Sequence, residues 1–189
     1  GYREYSNRGV MYMESGEFNK ALPDLQKALD LNPYNIQVMA SYGFALLQTG
    51  NFAQCINVYS EVLKLQPDHA EAFSNRGTAR YSTGDLAGAI EDYTKALEIK
   101  PDYNNAYFNR GLARINTNDL SGAIDDLEKA IEINPENAEA YSNLGIAYSR
   151  SGNMIKAFDS YSRALEINPA YFEAYLNRGI DYFYTKVYD

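Results

Sequence analysis

The sequence predicts an all-α fold of stacked, similar units, and three regular patterns support this prediction. Prolines recur every 34 residues, at Pro33, Pro67, Pro101, Pro135 and Pro169. Glycines keep the same period, at Gly9, Gly43, Gly77, Gly111, Gly145 and Gly179. Small residues follow them in each period, at Ala21, Cys55, Ala89, Ala123 and Ala157. A fixed period of this size is typical of repeat proteins, in which each supersecondary unit packs on its neighbours.

The third period shows why each unit forms two helices. Six residues of its first half recur at helical spacing: Ala72, Phe73, Arg76, Gly77, Ala79 and Arg80. Gly84 then suits the left-handed residue that ends a helix. Asp85 can cap the first amides of a second helix, which we expect from about Leu86 to Lys100. Pro101 ends that helix, because proline cannot continue helical hydrogen bonding.

The other periods carry the same turn between their two helices. Gly16, Gly50 and Gly152 occupy the left-handed position, and Asn118 replaces glycine once, which asparagine tolerates best. Pro23 falls inside the second helix of the first period. We assign it to the opening turn and expect that helix to begin late or irregularly.

A 34-residue period with glycine at position 8, a small residue at position 20 and a closing proline resembles the tetratricopeptide repeat. The units are 2–35, 36–69, 70–103, 104–137 and 138–171, with half a unit at 172–189. The resemblance implies a right-handed α-solenoid, a superhelix of antiparallel helix-turn-helix hairpins with a first helix A and a second helix B. We expect residues 1–189 to form a single solenoid, and we interpret the closing half-unit as a sign of a longer protein.

Comparison of the units with one another predicts ion pairs between helices A and B. Position 7 is arginine in units one, three and four: Arg8, Arg76 and Arg110. Position 23 is aspartate in the same units: Asp24, Asp92 and Asp126. Units two and five lack both residues, whereas Arg178 has no helix B within the half-unit. Because a partly buried guanidinium needs a carboxylate partner, we predict a salt bridge in each of the three units. Chance agreement and anion capture by the arginines are the alternatives.

The family resemblance implies a concave groove lined by the A helices, and we assign candidate peptide-binding residues to it. Position 6 supplies a row of asparagines: Asn7, Asn75, Asn109, Asn143 and Asn177. The row resembles the asparagine ladder with which some members of the family hold an extended peptide, since an amide can both donate and accept. We expect the amides of Asn75, Asn109 and Asn143 to lie on the concave surface, unused by the protein itself. Apolar groove candidates are Phe44, Tyr81, Phe108, Leu112, Ile115 and Ile146. The alternatives are that asparagine is simply common at this position, and that several apolar residues belong to the core.

Composition narrows the function to binding. The chain has a net charge of -8, with 17 basic residues dispersed among 25 acidic ones, which argues against nucleic acid. His69 is the single histidine and Cys55 the single cysteine, so no catalytic or metal-ligand constellation is present and we expect no enzyme activity, metal or cofactor. A terminal-carboxylate clamp is disfavoured, because the matching positions lack cations.

The expected partner is a protein or peptide, either basic or amphipathic, held without nucleic acid and without membrane insertion of this segment. Two alternatives stay open at this point: the chain is the recognition arm of a larger enzyme, or it self-assembles as a scaffold through its exposed terminal repeats.

Overall fold

The computed structural model describes residues 1–188, which form eleven α-helices and no strand. The helices are α1 (Tyr2–Glu14), α2 (Phe18–Leu31), α3 (Ile36–Gln48), α4 (Phe52–Leu65), α5 (Ala70–Ser82), α6 (Leu86–Ile99), α7 (Asn104–Asn116), α8 (Leu120–Ile133), α9 (Ala138–Arg150), α10 (Met154–Ile167) and α11 (Phe172–Tyr188). Odd-numbered helices are the A helices of the units and even-numbered helices are the B helices. The all-α prediction of five hairpins followed by one further A helix is confirmed.

The helices group into two compact units, which are described separately. Unit 1 spans Gly1–Pro101 and contains three hairpins, α1–α2, α3–α4 and α5–α6. Unit 2 begins at Asp102 and contains the hairpins α7–α8 and α9–α10 together with α11. Within each unit, the B helix of one hairpin packs against the A helix of the next.

The turns inside the hairpins follow the predicted backbone pattern. Gly84 has a φ of 85° and Asn118 a φ of 62°, and the equivalent glycines of the other hairpins are also left-handed. The helices that follow Gly84 and Asn118 are capped, since Asp85 accepts a hydrogen bond from Gly88 N at 3.0 Å and Asp119 accepts one from Gly122 N at 3.1 Å. A left-handed residue followed directly by a cap reverses the chain within a short turn.

The expectation of a late start for the helix that contains Pro23 is wrong. Helix α2 begins at Phe18, the position equivalent to the start of every other B helix, and Pro23 is its sixth residue. Proline removes the hydrogen bond to the carbonyl of Asn19. Both residues are exposed, so water can satisfy that carbonyl and the helix keeps its register.

Helices A and B of one hairpin approach closely at the glycine of position 8. A Cβ atom placed on Gly43 would lie 2.9 Å from the ring of Tyr59, and one on Gly111 would lie 2.9 Å from Cγ of Leu127. Both Tyr59 and Leu127 are buried. A mid-helix glycine lowers helix stability by about 1 kcal/mol relative to alanine, and this contact explains why the glycine is needed.

Candidate functional site

All three predicted arginine–aspartate pairs are present as two-point contacts between helices A and B. Arg76 donates to Asp92 from Nε at 2.9 Å and from Nη2 at 2.7 Å, and Arg110 contacts Asp126 at the same two distances. Arg8 contacts Asp24 at 2.6 Å from both Nε and Nη2. Two parallel charge-assisted hydrogen bonds fix the orientation of each guanidinium.

A second arginine, which the sequence analysis missed, joins two of these pairs. Arg80 lies 3.0 Å from Asp92, and Arg114 lies 2.8 Å from Asp126. Each also donates a hydrogen bond to a backbone carbonyl of helix B. Arg80 lies 3.7 Å from the capping residue Asp85, and Arg114 lies 3.3 Å from the capping residue Asp119. The sequence feature that could have revealed these contacts is arginine at position 11, which occurs only in the third and fourth repeats.

The pair of the first unit is simpler and more exposed. Tyr12 stands where Arg80 and Arg114 stand in their units, so Asp24 has one arginine partner, and the Arg8 side chain is 58% exposed. The Arg8 guanidinium nevertheless holds the pKa of Asp24 below its ordinary value, through the hydrogen bond.

The arginines of position 7 also stack on an aromatic ring one turn earlier in the same helix. The guanidinium carbons of Arg8, Arg76 and Arg110 lie 5.6–5.7 Å from ring centroids, and Arg178 lies 5.5 Å from that of Tyr175. An incoming anion would have to displace a carboxylate and, at Arg76, also the Ser60 hydroxyl that it contacts at 3.1 Å. This geometry favours the structural role of these arginines over anion capture.

The predicted row of free asparagine amides is only partly present. Asn75 donates to the hydroxyl of Tyr59 at 3.0 Å, and Asn143 donates to the carbonyl of Glu139 at 2.9 Å. The expectation that these two amides are unused is therefore wrong, because a ring hydroxyl of the preceding hairpin and a carbonyl one turn back lie within reach. Asn7, Asn109 and Asn177 make no side-chain hydrogen bond to the described residues, and Asn7 is exposed.

One apolar groove candidate belongs to the core. Ile115 is buried with Leu127, Leu144 and Tyr148, because helix α9 covers it, so its assignment to the groove is wrong. Arg150 of α9 donates to the Ile115 carbonyl at 2.9 Å, which ties the two helices together at this point. Position 12 is thus an interior position in the fourth repeat.

The other apolar candidates are half-buried. Phe108 and Ile146 pack against the edge of the core of unit 2, and Leu112 lies beside Gly111 on the same helix. In unit 1, Phe44 packs edge-to-face on Phe18 with ring centroids 5.9 Å apart. Tyr81 is half-buried as well. Each of these side chains keeps an exposed surface that a ligand could contact.

Unit 1 contains a cleft that the sequence analysis did not predict. It has a volume of about 550 Å³. Tyr42 and Val58, which line it, are the residues of the second repeat at the positions where other repeats carry the paired arginine and aspartate. Gln54 donates to the Tyr42 hydroxyl at 2.8 Å, and burial raises the pKa of Tyr42. The sequence shows that the second repeat lacks both the arginine and the aspartate. This indicated that the ion pair is missing there, but it did not predict a cleft.

The histidine and the cysteine have structural positions. His69 is the residue before α5, and its Nδ1 accepts a hydrogen bond from Ala72 N at 3.3 Å, as a helix cap does. Cys55 is buried, and burial raises the pKa of its thiol to about 12. Residues 1–188 hold no cluster of histidine, cysteine and acidic side chains suited to a metal. None of the helices within that range has the length and apolar character required to cross a membrane.

Sequence models of the tetratricopeptide repeat (TPR) match residues 12–75, 77–117, 114–152 and 138–171. The chain belongs to the TPR family. Its helices match those of solved TPR proteins, so its fold class is the TPR α-solenoid. No curated protein matches the chain in sequence.

Several solved structures are similar to this TPR chain. A crystal structure of MamA has a TM-score of 0.80 at 26% identity, covering 89% of this chain and 92% of MamA. MamA from Desulfovibrio magneticus RS-1, from residue 41 onward, gives 0.82 at 22%, covering 90% and 97%. YrrB, described as a TPR protein with an unusual peptide-binding site, gives 0.79 at 21%, covering 93% and 90%.

Proposed function

We propose that this TPR chain is a protein-interaction module that binds a peptide segment of its partner along the A helices of unit 2. The observation that carries the proposal is the surface around Asn109 on α7. Its side-chain amide makes no hydrogen bond to the described residues, and half-buried Phe108 and Leu112 lie beside it on the same helix. An unused amide next to partly exposed apolar side chains can bind both the backbone and the side chains of a peptide.

The neighbouring A helix extends this surface. Ile146 of α9 packs against the same buried cluster as Phe108. Asn143 keeps its amide oxygen as an acceptor, although its nitrogen donates to Glu139. The Glu139 side chain is exposed near the start of α9. A carboxylate beside an apolar strip favours a partner segment with alternating apolar and basic residues.

The asparagines do not offer a peptide the same hydrogen-bonding groups in each repeat, as a ladder of free amides would. Asn109 can provide both the donor and the acceptor, whereas Asn143 can provide the acceptor and one remaining N–H. The likeness to YrrB is one of fold, so its peptide-binding site supports the proposal only as a precedent. We therefore expect a peptide to depend on α7 more strongly than on α9.

A selection of peptides from a random displayed library on the whole chain tests the proposal. The selected peptides are then measured against a double variant, Asn109→Ala with Leu112→Ala. Loss of one amide contributes about 0.5–1.5 kcal/mol and loss of the exposed part of the leucine about 1 kcal/mol, so affinity should fall about 10- to 70-fold.

The matched control is Ile155→Ala, which removes an exposed apolar side chain from helix B α10 of the same unit. The control should bind the selected peptides as the unmodified chain does. If the double variant keeps its helicity and binds with unchanged affinity, the A-helix surface of unit 2 is not the binding site.

A further inference from the structure

Two charged residues of α9 lie on the same helix face as the amide and the apolar side chain of the proposed peptide surface. This stripe consists of Glu139, Asn143, Ile146 and Arg150, at intervals of four, three and four residues. At 3.6 residues per turn, such intervals place the four side chains in one row along the helix axis. The stripe therefore begins with a carboxylate and ends with a guanidinium.

Neither of these charges is neutralised by an opposite charge. Among the described residues, Glu139 and Arg150 form no salt bridge, and both are exposed. The arginines of α7 differ in this respect, since Arg110 and Arg114 both contact Asp126. An exposed ion without a counter-ion is available to pair with an opposite charge of a ligand.

Arg150 is held in position but keeps donors for a ligand. Its Nη1 donates to the carbonyl of Ile115 at 2.9 Å, and its Nη2 donates to Asn118 at 3.2 Å. These contacts use two of the five N–H groups of a guanidinium. They hold the guanidinium at the carboxyl-terminal end of α7, where its other N–H groups can bind a carboxylate.

The corresponding stripe of α7 carries no charge. It consists of Asn105, Asn109, Leu112 and Asn116. Glu139 and Arg150 are therefore the charged members of the two stripes, one near the start of α9 and one at its end. A purely basic partner segment would be complementary to one end of this surface and repelled at the other.

We propose, on the basis of the function proposed above, that this surface selects a partner segment with one basic and one acidic side chain. The basic side chain would pair with Glu139 and the acidic side chain with Arg150. The segment would be extended, because the unused amide of Asn109 can bond a peptide backbone whose hydrogen bonds are not already made within a helix.

The length of α9 gives the spacing of the two charges. Glu139 and Arg150 are eleven residues apart in a helix, which corresponds to about 16.5 Å along the axis. An extended segment advances about 3.3 Å per residue, and every second side chain lies on the same side. Two charged residues four positions apart therefore span about 13 Å, and their long side chains can cover the remainder. An apolar residue midway between them would lie near Ile146.

Both charges also suit the ends of α9 at which they lie. A helix is stabilised by an acidic residue in its first turn and a basic residue in its last turn. If this were their whole role, the charges of a bound peptide would not matter. Exchange of the two charges in the protein and in the peptide therefore separates the two roles.

Selection of heptapeptides from a random displayed library on the whole chain is the first test. The selected sequences should be enriched in one basic and one acidic residue four positions apart. Selection on Glu139→Lys should instead enrich two acidic residues, and selection on Arg150→Glu two basic residues. Glu139→Lys should keep the fold, because the Glu139 side chain is exposed, so the test holds even if loss of the Arg150 contacts destabilises the other variant.

The affinities of designed peptides are the second test. One selected sequence is made with Lys and Glu, two Lys, two Glu or two Gln at the charged positions, and binding is measured by fluorescence anisotropy. The Lys–Glu peptide should bind about three- to tenfold more tightly than either like-charged peptide. This preference should disappear at about 1 M salt, where the Debye length is about 3 Å. Glu132→Gln and Arg163→Gln, on the B helices of the same unit, are the charge-matched controls and should leave it unchanged.

The outcomes distinguish this proposal from the function on which it rests. Peptides that are weakened by Asn109→Ala with Leu112→Ala, but show no preference for opposite charges or keep that preference in Glu139→Lys, would overturn the charge selection alone. Failure to select any peptide, or peptides that the double variant binds with unchanged affinity, would overturn both.

Discussion

Replacement of Asp126 by alanine should destabilise the chain far more than the same change at Asp24. Asp126 is buried and accepts hydrogen bonds from Arg110 at 2.7 and 2.9 Å and from Arg114 at 2.8 Å. The side chains of these arginines are 13% and 23% exposed. Loss of the carboxylate leaves two poorly hydrated cations close together.

The expected magnitude follows from this burial. Removing one partner of a buried ion pair lowers the free energy of unfolding by about 3–5 kcal/mol. At Asp24 the single partner, Arg8, has a side chain that is 58% exposed, so water replaces most of the lost contact. The loss at Asp24 should therefore be a small fraction of the loss at Asp126, although both positions carry the same residue in the same repeat register.

Urea unfolding followed by far-ultraviolet circular dichroism measures both losses. The midpoints of Asp24→Ala and Asp126→Ala are compared with that of the unmodified chain, with equal slopes as the condition for comparing them. Asp92→Ala should behave like Asp126→Ala, because Arg76 and Arg80 surround Asp92 in the same way. Equal losses at Asp24 and Asp126 would refute the argument from burial.

The chain also provides a matched rescue of the Asp126 variant. Unit five carries Leu144, Tyr148 and Ser160 at the positions of Arg110, Arg114 and Asp126. A triple variant that copies these residues removes the carboxylate together with both cations. It should recover at least half of the stability lost by Asp126→Ala, because a buried ionic set can be replaced as a whole by well-packed residues. A triple variant no more stable than Asp126→Ala would show that overlap of the new side chains dominates.

Three further predictions concern helix contact, pH and hydrogen bonding. Gly77→Ala should destabilise the chain by about 1–3 kcal/mol through overlap with helix B, whereas Gly179→Ala should be neutral or stabilise by up to about 1 kcal/mol, in urea unfolding. Burial raises the pKa of the Cys55 thiol to about 12 from an ordinary value of 9.0, so the unfolded chain loses this proton first and stability should fall as pH rises from 9 to 12. Cys55→Ala, which copies the residue of the other units, should reduce that fall, and a pH series of urea midpoints measures it. Tyr59→Phe should lower stability by about 1–2 kcal/mol, because it removes the hydroxyl that accepts from Asn75, and an unchanged midpoint would contradict this.

The helices and their turns were predictable because local chemistry determines them. Asn118 adopts the left-handed backbone that its place in the turn requires, and Asp119 caps the helix that follows. Pro23 was misjudged because its effect depends on exposure. On the exposed face of α2 a missing hydrogen bond is tolerated, and the sequence position alone does not reveal which face a proline occupies.

Ion pairs were predictable from the comparison of units, whereas their extension by Arg80 and Arg114 was not. Arginine and aspartate at positions 7 and 23 vary together over five units, which is enough to pair them. Position 11 is arginine only in the third and fourth repeats, and both already carry the aspartate that pairs with the arginine of position 7. The sequence therefore did not indicate which acidic residue Arg80 and Arg114 would contact. The three-dimensional structure was needed to show that the Asp126 carboxylate contacts both Arg110 and Arg114.

The asparagine row shows the limit of repeat logic for binding sites. A period of 34 residues brings equivalent backbone positions into equivalent environments, but it does not make the neighbouring side chains equal. Asn75 lies near the hydroxyl of Tyr59, whereas the residue that corresponds to Tyr59 for Asn143 is Leu127, which has no polar group. Asn143 bonds its own helix instead. Each amide is used according to its particular neighbours, so the repeat position alone does not tell which asparagine amides stay unused, as that of Asn109 does among the described residues.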